Sequence, residues 1–143
     1  MKMTDARVLA FKLLYSLEMQ KEDKKEQIDL FMQANEIDDD EVKKYINDIN
    51  EGVIEKENVI NELIQKNLKE SWNMSRISKI DLAILKLGIY EMIYREVPYK
   101  VVINETVELA KKYGEDTSGN FINGIFASIV REKKFAEDKM EDS

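Results

Sequence analysis

The chain has no cysteine and no histidine, and only one proline and five glycines among its 143 residues. Without cysteine there is no disulfide framework, no thiolate metal site and no cysteine nucleophile, and a reducing compartment is the plain inference. Without histidine the usual general base near neutral pH and the commonest metal ligand are both missing, so most hydrolytic chemistries lose their proton carrier. Few prolines and glycines mean few turns, and with 43% apolar and 36% charged residues the composition describes long helices. Long apolar runs are lacking too. The opening MKMTDARVLAFKLLYSLEMQ is interrupted by Asp5, Arg7, Lys12 and Glu18 and reads as an amphipathic helix, not a signal sequence. No stretch approaches the ~18 apolar residues of a membrane span, so a soluble, cytoplasmic protein without membrane contact is expected. There is no P-loop, nucleophile elbow or dinucleotide fingerprint, and the acidic run Asp38 to Glu41 lacks the glycine and alternation of an EF-hand. Neither catalysis, a cofactor nor a metal is expected.

What is present is helical periodicity. Ala6, Leu9, Ala10, Leu13, Leu14 and Leu17 recur at three- and four-residue steps, with Thr4 or Asp5 as the expected cap. A shorter helix is read from Ile28, Phe31 and Ala34, ending in the polar stretch Asn35 to Asp40. Val42, Tyr45, Ile46, Ile49 and Val53 form a stripe that resumes as Ile60, Leu63, Ile64 and Leu68, either one helix bent near Gly52 or two meeting there. Ser78 and Asp81 have capping-box spacing ahead of Ile80 to Tyr94, whose apolar residues cover almost the whole circumference, as in a helix surrounded by others. Pro98 opens the next helix, and Lys111, Lys112 and Gly114 close it, the glycine in a left-handed cap. The last helix starts at Thr117 or Ser118 and carries Phe121, Ile122, Ile125, Phe126 and Ile129. The expectation is a single all-α domain over 1–143 with about seven helices in two sub-bundles, approximately 1–71 and 72–135, and a frayed tail over 136–143.

Charge is uneven. The net value of −7 divides into balances of +2, −8, +2 and −3 for residues 1–21, 22–70, 71–113 and 114–143. If the first and third regions meet, an acidic protein acquires a mildly positive face able to attract phosphate; a solvated mixed-charge surface is the alternative.

Four elements in the second half carry a more specific signal: LKLGIYE from Leu85 to Glu91, VPYKVVINE from Val97 to Glu105, ELAKKYG from Glu108 to Gly114, and F-x-N-G from Phe121 to Gly124. Together with Ala6, Arg7 and Leu13 to Tyr15 in the first helix, they resemble the NusB family of bacterial transcription antitermination factors. The resemblance implies an all-α fold of two helical sub-bundles. It also implies binding of boxA-type RNA in ribosomal RNA leaders, and partnership with ribosomal protein NusE in a transcription elongation complex. A protein-binding scaffold or homodimer with weakened RNA binding is the alternative, because the family's run of arginines around Arg7 is reduced here to that one residue.

RNA recognition needs cations for phosphates and aromatics or amides for unstacked bases. Lys2, Arg7 and Lys12 supply cations at the first helix, although Arg7 and Lys12 stand about 140° apart around its axis, at roughly 100° per residue. Tyr15, one turn beyond Lys12, is either a contact or a half-buried core residue. Asn120, Phe121 and Asn123 open the last helix, with Phe121 either stacking platform or core. Gly124 disfavours its helix by roughly 1 kcal/mol relative to alanine, which implies close packing against its backbone. Asp81, Lys86 and Glu91 are the polar positions of the apolar helix, either structural ion pairs or, by the resemblance, part of the NusE-binding edge.

Overall fold

The computed structural model describes residues 2–20 and 23–141, with side chains to residue 133. Among these residues there are seven α-helices and no strand: α1 (Met3–Met19), α2 (Lys24–Ala34), α3 (Asp40–Glu55), α4 (Glu57–Lys66), α5 (Lys79–Tyr94), α6 (Tyr99–Tyr113) and α7 (Ser118–Glu141). A single 3-10 turn, Met74–Arg76, leads into α5. None of these helices is long and apolar enough to cross a membrane.

Side-chain caps fix three of the helix starts. Asp23 caps α2 by accepting the amides of Lys25 and Glu26. Asp39 caps α3 through Glu41 and Val42, which gives the acidic run a structural use. Ser78 caps α5 by accepting the Asp81 amide, as the sequence spacing predicts. Other expectations shift. The cap of α1 is Lys2, without a side-chain bond; Thr4 and Asp5 lie inside the first turn, where the acid meets the positive end of the dipole. Pro98 precedes the first residue of α6 rather than occupying it. The break between α3 and α4 falls at Lys56, not Gly52. Gly52 stays inside α3 because a Cβ there would meet the Tyr90 ring at 2.2 Å; the glycine admits α5, not a bend.

Gly114 also departs from expectation. Its φ of −92° is not left-handed. The residue is confined by space instead, since a Cβ would lie 2.5 Å from Ser118 Oγ and 2.8 Å from the Ala110 carbonyl oxygen. The positive φ values among the described residues belong to Glu36 and Glu96, in the connections after α2 and α5. The backbone of α7 runs on to Glu141; the side chains of the expected frayed tail, and residues 142–143, lie outside the described residues.

The packing has α5 as its axis. Every residue from Leu82 to Met92 is buried, in contact with α1, α3 and α4 on one side and α6 and α7 on the other. All seven helices share one apolar core, in which Leu13, Ile46, Ile60, Ile84, Leu87 and Phe126 are fully enclosed. Gly88 is the closest point between α5 and its second set of partners: a Cβ there would be 2.4 Å from Phe126 and 2.8 Å from Thr106.

Candidate nucleic-acid interface

The interface is defined first by which charges the fold uses internally. Arg7 stands three, four and seven residues before Ala10, Phe11 and Leu14, all buried, so α1 turns it inward with them. Its Nε donates to both carboxylate oxygens of Glu91, at 2.9 and 3.1 Å, and Glu91 also accepts the Tyr45 hydroxyl at 2.9 Å. Glu105 of α6 lies 4.0 Å from the same guanidinium. Burial works against the arginine's charge, but the Glu91 hydrogen bond and the surrounding acids outweigh it, and the pKa ends above its ordinary value. Burial, then the Glu91 charge and hydrogen bond, push the Tyr45 phenol up. With Arg7 9% exposed and its Nε bonded to Glu91, its charge is largely answered within the protein, which does not favour the expected role as an RNA contact.

Two of the three residues of the expected partner edge are also used inside the fold. Lys86 and Glu91 are each 3% exposed. Lys86 bonds Glu18 of α1 and lies 3.4 Å from Glu57 of α4, so both charges of α5 join helices within the fold. Asp81 is half-buried at the other end of α5, beside Ser118; burial raises its pKa, with the Ser118 and Ser78 hydroxyls opposing.

The cations that remain outside cluster elsewhere. Five residues on from Arg7, the opposite side of α1 presents exposed Lys12, whose Nζ lies 5.8 Å from the centre of the Tyr113 ring. Lys112 approaches the same ring at 5.4 Å, and Phe11 supports it from behind at 5.3 Å. Tyr113 and Lys112 were not identified from sequence, where the lysines of α6 serve the helix dipole; the signal is a tyrosine flanked by lysines at a helix end. Tyr15 is half-buried against the core beside this cluster. Lys2 is exposed at the far end of α1, about 15 Å from Lys12 at 1.5 Å per residue, near the acidic start of α3.

The first turns of α7 supply the other predicted residues. Asn120 and Asn123 are exposed, while Phe121 is half-buried and stacks on Trp72 with centroids 6.0 Å apart and rings 27° from parallel. Trp72 was missed because the segment before α5 has no periodicity to direct attention there. Gly119 faces Lys111 of α6, so this turn adjoins the Lys12–Tyr113 cluster. Arg7 does not join it: Glu91, its partner, is ten residues, about 15 Å, along α5 from Asp81, which adjoins Ser118. Gly124 overturns its expectation, for a Cβ there would meet nothing within 4 Å.

Comparison with known proteins agrees with this fold over most of the chain. The NusB family profile matches residues 4–131. The transcription antitermination protein NusB of Acetivibrio thermocellus is 43% identical over 138 residues, spanning 96% of this chain and 94% of the relative. That of Listeria welshimeri is 36% identical, spanning 94% of this chain and all of the relative. Among solved structures, T. maritima NusB superposes with a TM-score of 0.84 at 31% identity over 92% of both chains. The antitermination factors NusB and NusE in complex with dsRNA include a chain matching with a TM-score of 0.81 at 24% identity, over 90% of this chain and 96% of that one. The profile, the relatives and the fold concur, and the chain belongs to the NusB family.

Proposed function

We propose that this protein is a non-catalytic adaptor of transcription that binds boxA-type single-stranded RNA of ribosomal RNA leaders together with ribosomal protein NusE, preventing premature termination. The observation that carries the reading is the Tyr113 ring flanked by Lys12 and Lys112 beside the opening turn of α7. Two cations hold phosphates, the ring and the exposed amides of Asn120 and Asn123 address bases, and the helix N-terminus adds donors for an anion. Tyr15 borders this surface, and Lys2 is a separate outer contact. Family membership supports the reading, as does the precedent of this fold in a complex of NusB and NusE with RNA. For the protein partner, the supporting feature is the exposed apolar strip of Ile93, Tyr94, Tyr99 and Val101 around the α5–α6 connection.

The test is anisotropy of a labelled boxA-type strand titrated with the protein, with and without NusE, over a series of salt concentrations. Binding is expected to strengthen with NusE. Lys12→Gln should weaken it and reduce the slope of log affinity against log salt by about 0.7, the value of one phosphate contact on a single strand. An unchanged slope would remove the Lys12 cluster from the site. No RNA binding in either arm, with NusE binding intact, would leave the protein-scaffold reading instead.

A further inference from the structure

The end of α1, the start of α2, the α3–α4 junction and the first half of α5 surround a cleft of about 380 Å3, which contains none of the residues given above to RNA or to the apolar strip. Leu14, Leu17, Val53 and Ile54 supply its apolar lining. Lys86 lines it as well, although its side chain is only 3% exposed. An ammonium carries three N–H donors. Glu18 and Glu57 accept two of them, and no acceptor among the described residues takes the third. Glu57 is the looser partner, 3.4 Å away and 42% exposed. Lys24 and Lys79, the first residues of α2 and α5, also line the cleft, and neither has an acid within salt-bridge distance among the described residues. Three lysines against two glutamates make this cleft positive, within a chain whose net charge is −7.

Small-molecule sites are concave, about 300–1,000 Å3 in volume, and mostly apolar with a few convergent polar groups, and this cleft has each of those properties. A buried ammonium with a donor to spare is costly unless something answers it. We infer that the cleft binds a small amphipathic anion, its apolar body against Leu17, Val53 and Ile54 and its carboxylate or phosphate group on the third donor of Lys86 and the charges of Lys24 and Lys79. Glu57 is the group such an anion competes with, being the weaker of the two acceptors already on Lys86. A cation would meet three lysines, and a neutral ligand would leave the spare donor unanswered. The site is independent of the RNA-binding reading, and neither depends on the outcome of the other.

The test is an NMR titration of the full-length protein, isotope-labelled at its Leu, Val and Ile methyl groups, with hexanoate, hexyl phosphate, hexylamine, hexanol and inorganic phosphate. The Leu17, Val53 and Ile54 methyl signals are expected to shift saturably with hexanoate or hexyl phosphate, at about 1 mM for fragments of this size, and with none of the other three. Whichever of the two binds more tightly identifies the head group. Lys79→Gln, at the rim, should weaken binding about 2- to 5-fold, the effect of one exposed ion pair. Glu57→Gln should strengthen it by a similar factor, because the competing carboxylate is gone while Glu18 still holds Lys86; a merely structural Glu57 would not raise affinity when replaced. Lys86 itself is left in place, since its removal strands Glu18 without a partner inside the fold. If neither anion shifts these methyls, if hexylamine or hexanol shifts them equally, or if Glu57→Gln binds no more tightly than the native protein, the inference is overturned. Inorganic phosphate binding as tightly as hexyl phosphate would show that the apolar lining takes no part, and the amphipathic assignment would be wrong.

Discussion

Glu91→Ala is expected to destabilise the protein by about 3–5 kcal/mol, the usual effect of removing one partner from a buried ion pair. The substitution leaves the Arg7 guanidinium without its two hydrogen bonds, and the Tyr45 hydroxyl without its acceptor. Against a total stability of about 5–15 kcal/mol this is a large fraction. Urea denaturation measures it, and a loss below about 1 kcal/mol would mean that the network does not hold α1, α3 and α5 together. Arg7→Ala should act in the same direction, with Glu91 now the unpaired charge. The double variant Arg7→Met with Glu91→Leu should lose much less than the sum, since apolar side chains can fill the volume without a charge to solvate. Arg7 variants that remain folded should leave the salt slope of RNA binding unchanged, in contrast to Lys12→Gln.

Phe126→Ala should produce a loss of similar size, about 3–5 kcal/mol, from the lost burial of the ring and the cavity it leaves. Phe126 is fully enclosed, and its ring tip occupies the space over Gly88 where α5, α6 and α7 meet. The reverse change, Gly88→Ala, places a methyl group 2.4 Å from that ring and 2.8 Å from the Thr106 methyl, an overlap that should cost about 1–3 kcal/mol. The two are expected to couple. With the ring removed the new methyl enters vacated space, so the double variant should be more stable than additivity gives, as a double-mutant cycle by denaturation would measure. Strict additivity would show that the glycine and the ring do not share that volume.

The sequence carried the helices well because their signals are local. The three- and four-residue stripes, the Ser78 cap and the all-round apolar character of residues 80–94 depend on near neighbours, and each appears in the fold. The fate of charges was less legible. Arg7 and Glu91 are 84 residues apart, and nothing near either one identifies its partner. Yet part of the answer was present: Arg7 shares the spacing of the buried stripe, and Glu91 belongs to a helix with no exposed side, so both had to be neutralised inside. The glycines show the same division. A backbone argument places Gly52 and Gly114 at a bend and a left-handed cap, whereas the fold uses both for close approach, to Tyr90 and to Ser118, contacts no local pattern encodes. The stack of Trp72 on Phe121 likewise unites two segments that only the tertiary structure brings together.

The enclosure of α5 also determines how the molecule breathes. Its amides from Ala83 to Gly88 can reach deuterium only when the surrounding helices separate, so their exchange should follow the global unfolding free energy. By contrast α2 buries only Ile28 among its residues, and its amides should exchange through smaller local openings while the axis stays closed. Protection measured residue by residue would therefore grade the helices by their distance from that axis.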